Sequence, residues 1–232
     1  MGTPSQADAS YWRGERRVLL LVLSLGISLF VAVVLALPGV GPIFRTFTSS
    51  SSSMAPTFRV GGFFVVSRAS YGYSRYSFDN FELPIDGRFP ALMPRRGDLI
   101  VFRLSRDRKT TFLKRVVGLP GDRIQMVKGR LSINDRLVQV EPAQRIPDPS
   151  GEKGEVPTYV ERLPDGPAYS IIQLDGGSRP FDNTPVHVVP PGHLFVLGDN
   201  RNNSTDSREQ SPRYGVGFVP VELVLGRVVF SF

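Results

Sequence analysis

The sequence predicts a mainly β protein, in which one N-terminal transmembrane helix precedes a β-rich domain with a small inserted β subdomain. Three observations lead to this fold class. An uncharged apolar run fills residues 18–37. Short apolar or alternating segments, typical of strands, recur after it. The 232 residues also include 23 glycines and 20 prolines, which indicate many turns rather than a helical bundle.

The apolar run is long enough to cross a bilayer. Its twenty residues would extend about 30 Å as a helix, which is the thickness of the hydrocarbon core. The alternative is a cleaved secretory signal, whose apolar region is usually only about 7–15 residues long. We therefore favour an uncleaved transmembrane helix.

Basic residues flank this run unequally and predict its orientation. Arg13, Arg16 and Arg17 precede it, whereas Arg45 alone follows it closely. Because such residues stay on the cytoplasmic side, we expect residues 1–17 to form a cytoplasmic tail. The remaining residues, 38–232, would then form an extracytoplasmic domain at the cell membrane.

The domain after the helix contains several predicted strands. They are residues 61–68, 98–104, 110–118, 123–127 and 194–198. Residues 127–135 resemble a hairpin with Lys128 and Gly129 at its turn. From about residue 138 to 191 the composition loosens, and the segment is either part of an inserted subdomain at about 129–191 or a set of long loops.

Composition excludes several kinds of site and partner. The chain has no cysteine, so disulfides, thiolate metal sites and cysteine nucleophiles are excluded. The net charge of +7 suits a nucleic acid or an anionic membrane surface. The arginines are scattered and no nucleic-acid-binding motif is present, so we expect a phospholipid bilayer as partner and no nucleic acid.

Histidine is a poor candidate for the catalytic base. His187 and His193 are the only two histidines, and both lie in a proline-flanked run. A structural or exposed role is the more common one for such residues, and no further ligands at suitable spacing accompany them. The sequence thus predicts neither a histidine-based triad nor a metal or other cofactor.

Lys114 is an unusual lysine. In a strand at residues 110–116 its side chain shares one face with Thr110, Phe112 and Val116. Burial between apolar neighbours would lower its pKa toward the range in which an amine acts as a general base. Strand chemistry alone, however, favours a lysine that reaches solvent at a strand edge.

Two polar segments complete the candidates. The serine tract at residues 48–53 is typical of a flexible linker, but it changes sharply to Met-Ala-Pro-Thr, where Pro56 fixes the backbone. Residues 198–208 are dense in hydrogen-bonding groups and follow an apolar strand. Their spacing and two arginines disfavour a calcium site, so a network that orients other groups fits better.

In this order, the segments resemble those of the type I signal peptidases (leader peptidases), membrane-bound Ser–Lys endopeptidases. Residues 51–57 match the family's S-x-S-M-x-P-T element, and residues 114–122 match its lysine element. Residues 96–102 resemble its R-G-D strand, and residues 198–208 match its G-D-N-R element. The resemblance implies a signal-peptidase-like β fold and favours a catalytic Lys114.

The resemblance also implies roles for individual residues. Ser53 would be the nucleophile, Lys114 the general base, and the Ser51 hydroxyl with the Ser53 N–H the oxyanion hole. Supporting residues are expected in the last element. There Ser204 would orient the lysine amine, Asp206 and Arg208 would pair, and Asp199 and Asn200 would shape the turn beneath.

The expected substrates are exported preproteins with A-x-A-like cleavage sites. Shallow pockets for small side chains would be lined by Met54, Phe58, Val101, Phe112 and Leu113. Two departures from the family pattern, Asn202 and Gly62, stand where aspartates are usual, and we expect them to change only local packing. The alternatives are a peptidase specialised for pilus or conjugation proteins and a membrane-tethered β-domain that binds peptides without cleaving them.

Overall fold

The computed structural model describes most of the chain after its N-terminal segment. The described residues are 43–79, 81–152, 154–174 and 181–232, together with Ser24 and Gly26. The chain divides into two compact units, residues 1–44 and residues 45–232. Almost all of the described structure belongs to the second unit.

The two predictions for the N-terminal segment fall outside this description. The cytoplasmic tail at residues 1–17 lies wholly outside the described residues, and so does the span at residues 18–37 apart from Ser24 and Gly26. Within the part of the chain that is described, no helix combines the length and the apolar character that crossing a membrane requires.

The described part of the chain is mainly β, as predicted. Its strands are β1 (Phe44–Thr48), β2 (Phe63–Ser67), β3 (Tyr73–Ser74), β4 (Arg88–Phe89), β5 (Leu99–Arg103), β6 (Thr111–Gly118), β7 (Arg123–Val127), β8 (Arg130–Ile133), β9 (Arg136–Leu137), β10 (Gln139–Pro147), β11 (Glu155–Arg162), β12 (Ala168–Ile172), β13 (His187–Val188), β14 (His193–Leu197), β15 (Val219–Pro220) and β16 (Val224–Ser231). Short 3₁₀ helices occupy Ser52–Met54, Arg68–Tyr71 and Val221–Leu223.

The described strands form four sheets. The largest has seven strands in the order β1-β2-β16-β5-β6-β14-β15. A four-stranded sheet has the order β13-β7-β8-β9, a three-stranded sheet the order β10-β11-β12, and β3 pairs with β4. Because β6 lies inside the largest sheet, side chains on its two faces meet different parts of the domain.

Alternation along β6 separates two hydrophobic cores. Val116 packs in one cluster with Ile100 of β5, whereas Val117 packs in another with Ile124 of β7. Consecutive residues of a strand point to opposite faces, and here both faces are covered. The predicted strand at residues 110–118 is therefore confirmed, with Lys114 buried inside it.

The edge of β6 is only partly covered. Strand β14 pairs with Gly118, Val116 and Arg115 of β6, and this pairing stops at Arg115. The segment from Thr111 to Lys114 pairs with β5 on its other side. The other edge of this segment faces the cleft described below.

The predicted hairpin turn is present. Lys128 and Gly129 join β7 to β8 with positive φ angles of 50° and 79°, which is the conformation of the tight turns that suit twisted strands. A second turn of the same kind, at Asn134 and Asp135 with φ angles of 53° and 64°, joins β8 to the short β9. The sequence analysis missed this second turn.

The loosely composed segment holds longer strands than the sequence indicated. Strands β10 and β11 span nine and eight residues, respectively. Most of β10 is solvent-exposed on both faces, so its sequence shows no alternation by which a half-buried strand is recognised. Of the two readings, long loops are therefore wrong for residues 139–172, which form the three-stranded sheet β10-β11-β12.

Candidate active site

The serine tract and the lysine strand meet at one point. The 3₁₀ helix Ser52–Met54 presents the half-buried Ser53, and β6 presents Lys114, whose residue is 3% exposed. Lys114 Nζ donates a hydrogen bond to Ser53 Oγ at 2.8 Å. Two residues that are 61 positions apart in the chain are thus within reach of proton transfer.

Burial makes the Lys114 ammonium group easier to deprotonate than that of a lysine at the surface. Desolvation lowers the pKa of Lys114 from 10.5 to about 8, because removal from water disfavours the ammonium form. Asp206 and Asp199 act in the opposite direction and Arg208 in the same direction as burial. Near neutral pH the amine is therefore neutral in a far larger fraction of molecules than a surface lysine is.

Ser51 places a second hydroxyl beside the first. Ser51 Oγ donates to Ser53 Oγ at 3.1 Å, and the Ser53 N–H points toward Ser51 Oγ over 3.5 Å. The Ser51 backbone is extended and the chain turns immediately after it. One hydroxyl and one backbone N–H consequently lie close together beside the Ser53 side chain.

The polar loop that follows β14 lies directly beneath the serine segment. Asn200 N donates to Ser53 O at 3.1 Å, and its side-chain amide donates to Ser52 O at 3.2 Å. The Asn203 amide donates to Ser52 Oγ at 2.8 Å. The sequence analysis selected Asn200 for this turn but not Asn203.

Asp199 was expected to shape the turn, and its carboxylate also binds two side chains of other segments. Its carboxylate accepts bonds from Arg115 Nε at 2.8 Å and from the Arg115 terminal nitrogen at 2.6 Å. Thr57 Oγ1 donates to the same carboxylate at 2.5 Å. Arg115 and Thr57 were not selected from the sequence, although alternation along β6 places Arg115 on the face opposite to Lys114.

Asp206 and Arg208 form the expected pair. Arg208 donates to both carboxylate oxygens of Asp206, at 2.8 and 2.9 Å, and Asp206 also accepts the Gly198 N–H at 3.0 Å. These contacts hold the pKa of Asp206 below its usual range against the opposing effect of burial. Asp206 therefore stays ionised beneath the lysine.

Ser204 does not form the hydrogen bond to the lysine amine that the resemblance implies. Its Oγ is buried and forms no regular hydrogen bond, either to Lys114 or to another group. The hydroxyl lies near enough to Asp206 to help to lower the pKa of that carboxyl, but the geometry is not that of an ordinary hydrogen bond. The expected contact between Ser204 and the lysine amine is absent here.

A cleft of about 390 Å³ runs beside the dyad. Four of the five predicted pocket residues line it, namely Met54, Val101, Phe112 and Leu113. Phe58 is not among the residues that line the cleft, and its side chain packs in the same core cluster as Met54. Phe64, which the sequence analysis did not place at the site, lines the cleft in its stead.

The two departures from the family pattern have local structural explanations. Asn202 Oδ1 accepts the Leu174 N–H at 2.6 Å, a bond that an aspartate would equally accept. At Gly62 an added Cβ would lie 3.1 Å from Arg59 O, so a larger side chain would be crowded. Neither residue lines the cleft beside the dyad.

The two histidines lie away from these groups. His187 packs against Phe195 and Phe218, and burial lowers the pKa of its imidazole. His193 Nδ1 lies 2.9 Å from Pro191 O. Within the described residues, no three His, Asp or Glu side chains come together as a metal site.

Comparison with known proteins extends over most of the chain. The family model for signal peptidase, peptidase S26, matches residues 22–232. Signal peptidase I from Rickettsia typhi is 36% identical over 210 residues, which cover 81% of this chain and 71% of the relative. That from Rickettsia prowazekii is 36% identical over 206 residues with the same coverage. A solved signal peptidase I from Enterococcus faecalis is 24% identical with a TM-score of 0.33, covering 59% of this chain and 97% of the other.

Proposed function

The chain belongs to the signal peptidase family, peptidase S26, and is a serine endopeptidase, so we propose that it removes signal peptides with Ser53 as nucleophile and Lys114 as general base. The hydrogen bond of 2.8 Å between Lys114 Nζ and Ser53 Oγ carries this proposal. Burial of the lysine supports it, because a base must hold a free lone pair at the working pH.

Acylation begins with the neutral Lys114 amine. The Ser53 hydroxyl gives its proton to Nζ while Oγ forms a bond to the carbonyl carbon of the scissile peptide. Charge that develops on the carbonyl oxygen is stabilised by the Ser53 N–H and by the Ser51 hydroxyl, which rotates to donate. The C–N bond then breaks, and the leaving amine of the mature chain takes the proton from Lys114.

Deacylation repeats these steps with water. The signal peptide is now an ester on Ser53 Oγ, and Lys114 accepts a proton from the attacking water. The ester C–O bond breaks, the signal peptide leaves as a carboxylic acid, and Ser53 Oγ regains its proton from the lysine. The Asp206–Arg208 pair and Asp199 hold the loop and the strand that carry these groups in place.

The open edge of β6 supports an extended substrate. The segment from Thr111 to Lys114 has no β14 partner on the side of the cleft. A peptide added there as a strand would pair through its backbone and direct alternate side chains into the cleft. Met54, Val101, Phe112 and Leu113 line the cleft and would form shallow pockets for the small side chains of A-x-A-like sites.

Loss of processing in dyad variants tests this function. We expect Ser53→Ala and Lys114→Met to abolish cleavage of a preprotein in detergent, while Ser105→Ala and Lys109→Ala keep it. The two controls remove the same functional groups from exposed positions. Processing at the wild-type rate in either dyad variant would refute the assignment.

We further propose that residues 18–37 anchor the enzyme in the cell membrane, with residues 1–17 in the cytoplasm and residues 38–232 outside. The uncharged run and the flanking arginines support this orientation. Since the chain has no cysteine, single cysteines at Ser5 and at the exposed Ser150 can be labelled with an impermeant maleimide. Labelling of Ser5→Cys in intact cells would contradict the proposed topology.

A further inference from the structure

The loop under the nucleophile is held from two sides by alternate residues. Ile172, at the end of β12, donates its N–H to Asp199 O and accepts the Arg201 N–H, both at 2.9 Å. Asn200, between them, donates its N–H to Ser53 O at 3.1 Å. The loop thus joins the three-stranded sheet to the backbone of the nucleophile.

A buried ion pair fixes this loop to the sheet. Glu161 of β11 is fully buried and Arg201 is 5% exposed. Two parallel bonds join them, from the Arg201 terminal nitrogens to Glu161 Oε1 at 2.9 Å and to Oε2 at 2.5 Å. Tyr169 of β12 donates its hydroxyl to the same carboxylate. Such a forked pair constrains orientation as well as distance.

Arg201 transmits this constraint to the backbone beneath the serine. Its Nε donates to Gly198 O at 3.1 Å. A Cβ added at Gly198 would lie only 2.7 Å from Ser53 O, so the glycine is packed directly against the serine segment. A shift of the Arg201 side chain would therefore move atoms that touch the nucleophile's backbone.

The same residue leads to the surroundings of the lysine. Arg201 O accepts a bond from Arg208 at 3.0 Å, and Arg208 holds Asp206. The charged groups that act on the Lys114 amine are Asp206, Asp199 and Arg208. Two of these three, Asp206 and Arg208, are thus anchored through the arginine that Glu161 orients.

We propose that Glu161, with Tyr169, is a positioning residue for the hydrolysis, because it holds Arg201 and thereby the loop at residues 198–201 against Ser53. Glu161 lies outside every segment that resembles a family motif and contacts no reacting atom. This inference rests on the proposed function, since it concerns the geometry of the same dyad. The three-stranded sheet accordingly takes part in catalysis through its buried face.

Two variants separate positioning from folding. Glu161→Gln would leave the Arg201 charge without a buried partner and is expected to unfold readily. The double variant Glu161→Met/Arg201→Met replaces the whole pair by apolar side chains of similar size, a change that buried pairs often tolerate. Tyr169→Phe removes only the hydroxyl and keeps the ring that lies over Arg115.

We expect the double variant to fold but to turn over slowly. Its kcat for a preprotein should fall roughly tenfold to a hundredfold, since small misplacements of reacting groups have effects of that size. The kcat of Tyr169→Phe should also fall, but by less. KM should change by less than about threefold, because the cleft walls are untouched. The midpoint of the pH–rate profile should rise by about half a pH unit or more, because water would reach Lys114 and favour its charged form.

Glu141→Gln is the matched control. This carboxylate lies on β10 of the same sheet and forms an exposed ion pair with Arg162 at 3.7 Å, so the variant should keep the wild-type kcat and pH profile. The inference is overturned if the folded double variant keeps both, or if its kcat falls in proportion to the folded fraction with an unchanged pH midpoint. Activity in Ser53→Ala or Lys114→Met would instead refute the dyad, whatever Glu161 variants do.

Discussion

Lys114 and Arg115 are neighbours in β6, yet their charged groups have opposite environments. Lys114 Nζ lies 2.8 Å from the neutral Ser53 Oγ, and burial lowers its pKa to about 8. The Arg115 guanidinium binds both oxygens of Asp199, and that carboxylate raises the pKa of the arginine. The same strand therefore keeps the proton on Arg115 and makes the proton of Lys114 removable.

The pH dependence of hydrolysis follows from Lys114. Because the base must be neutral, we expect kcat/KM to rise with pH through a midpoint near 8, the lowered pKa of the lysine. The measurement is cleavage of a preprotein at subsaturating concentration over a range of pH in detergent. A midpoint near 10.5, the ordinary value for lysine, would contradict a desolvated base.

Lys114→Met should stabilise the protein in a pH-dependent manner. Below pH 8 the lysine is protonated in both the folded and the unfolded state, and its buried charge destabilises the fold by the full amount, on the order of 3 kcal/mol for this pKa shift. Between about 8 and 10.5 the folded state releases the proton that the unfolded state still holds, so the destabilisation fades as pH rises.

Denaturant unfolding of both proteins at several pH values measures this difference. The variant should exceed the wild type in free energy of unfolding most at pH 6 to 7, and the two should converge toward pH 10.5. A difference that grows with pH would mean that the folded state binds the proton more tightly than the unfolded state.

Ser51→Ala tests the oxyanion hole. Removal of the hydroxyl that lies beside Ser53 should lower kcat by roughly a hundredfold and leave KM nearly unchanged, because the bond forms to charge that develops only in the transition state. The exposed Ser105, in the turn between β5 and β6, provides the control variant Ser105→Ala. Equal kcat values for the two variants would exclude a role for the Ser51 hydroxyl.

Leu113→Ala tests the pocket. The side chain lines the cleft, so its truncation should let preproteins with valine or leucine near the cleavage site compete better with alanine, by roughly tenfold in the ratio of kcat/KM. Leu119→Ala makes the same change where β6 has ended, in a side chain that packs on another core cluster. Specificity that shifts equally in both variants would show that Leu113 does not shape the pocket.

Local chemistry made much of this arrangement predictable. The strand at β6 and the turn at Lys128 and Gly129 follow from alternation and from the preference of glycine for positive φ. The burial of Lys114 does not, because strand chemistry alone favoured a lysine that reaches solvent. Ser53 could be distinguished from the neighbouring serines only through the resemblance to a known family. The fold class required no more than the recurrence of short apolar segments.

The missed features depend on residues that are distant in sequence or that break local rules. Glu161 and Arg201 are 40 residues apart, and neither lies in a pattern that indicates burial of a charge. Strand β10 is exposed on both faces and so lacks alternation. Phe58 was expected in the pocket, but it packs in the core cluster with Met54 and does not line the cleft.

The alternation of Asp199, Asn200 and Arg201 sets a strict requirement on chain length. Odd and even positions of this segment meet different neighbours, Ile172 on one side and Ser53 on the other. One inserted residue between Leu197 and Arg201 would exchange these partners, so that the arginine would turn toward the serine and an amide toward the sheet. Length variation in relatives should accordingly fall in the outer parts of the β10–β12 sheet and spare these few residues.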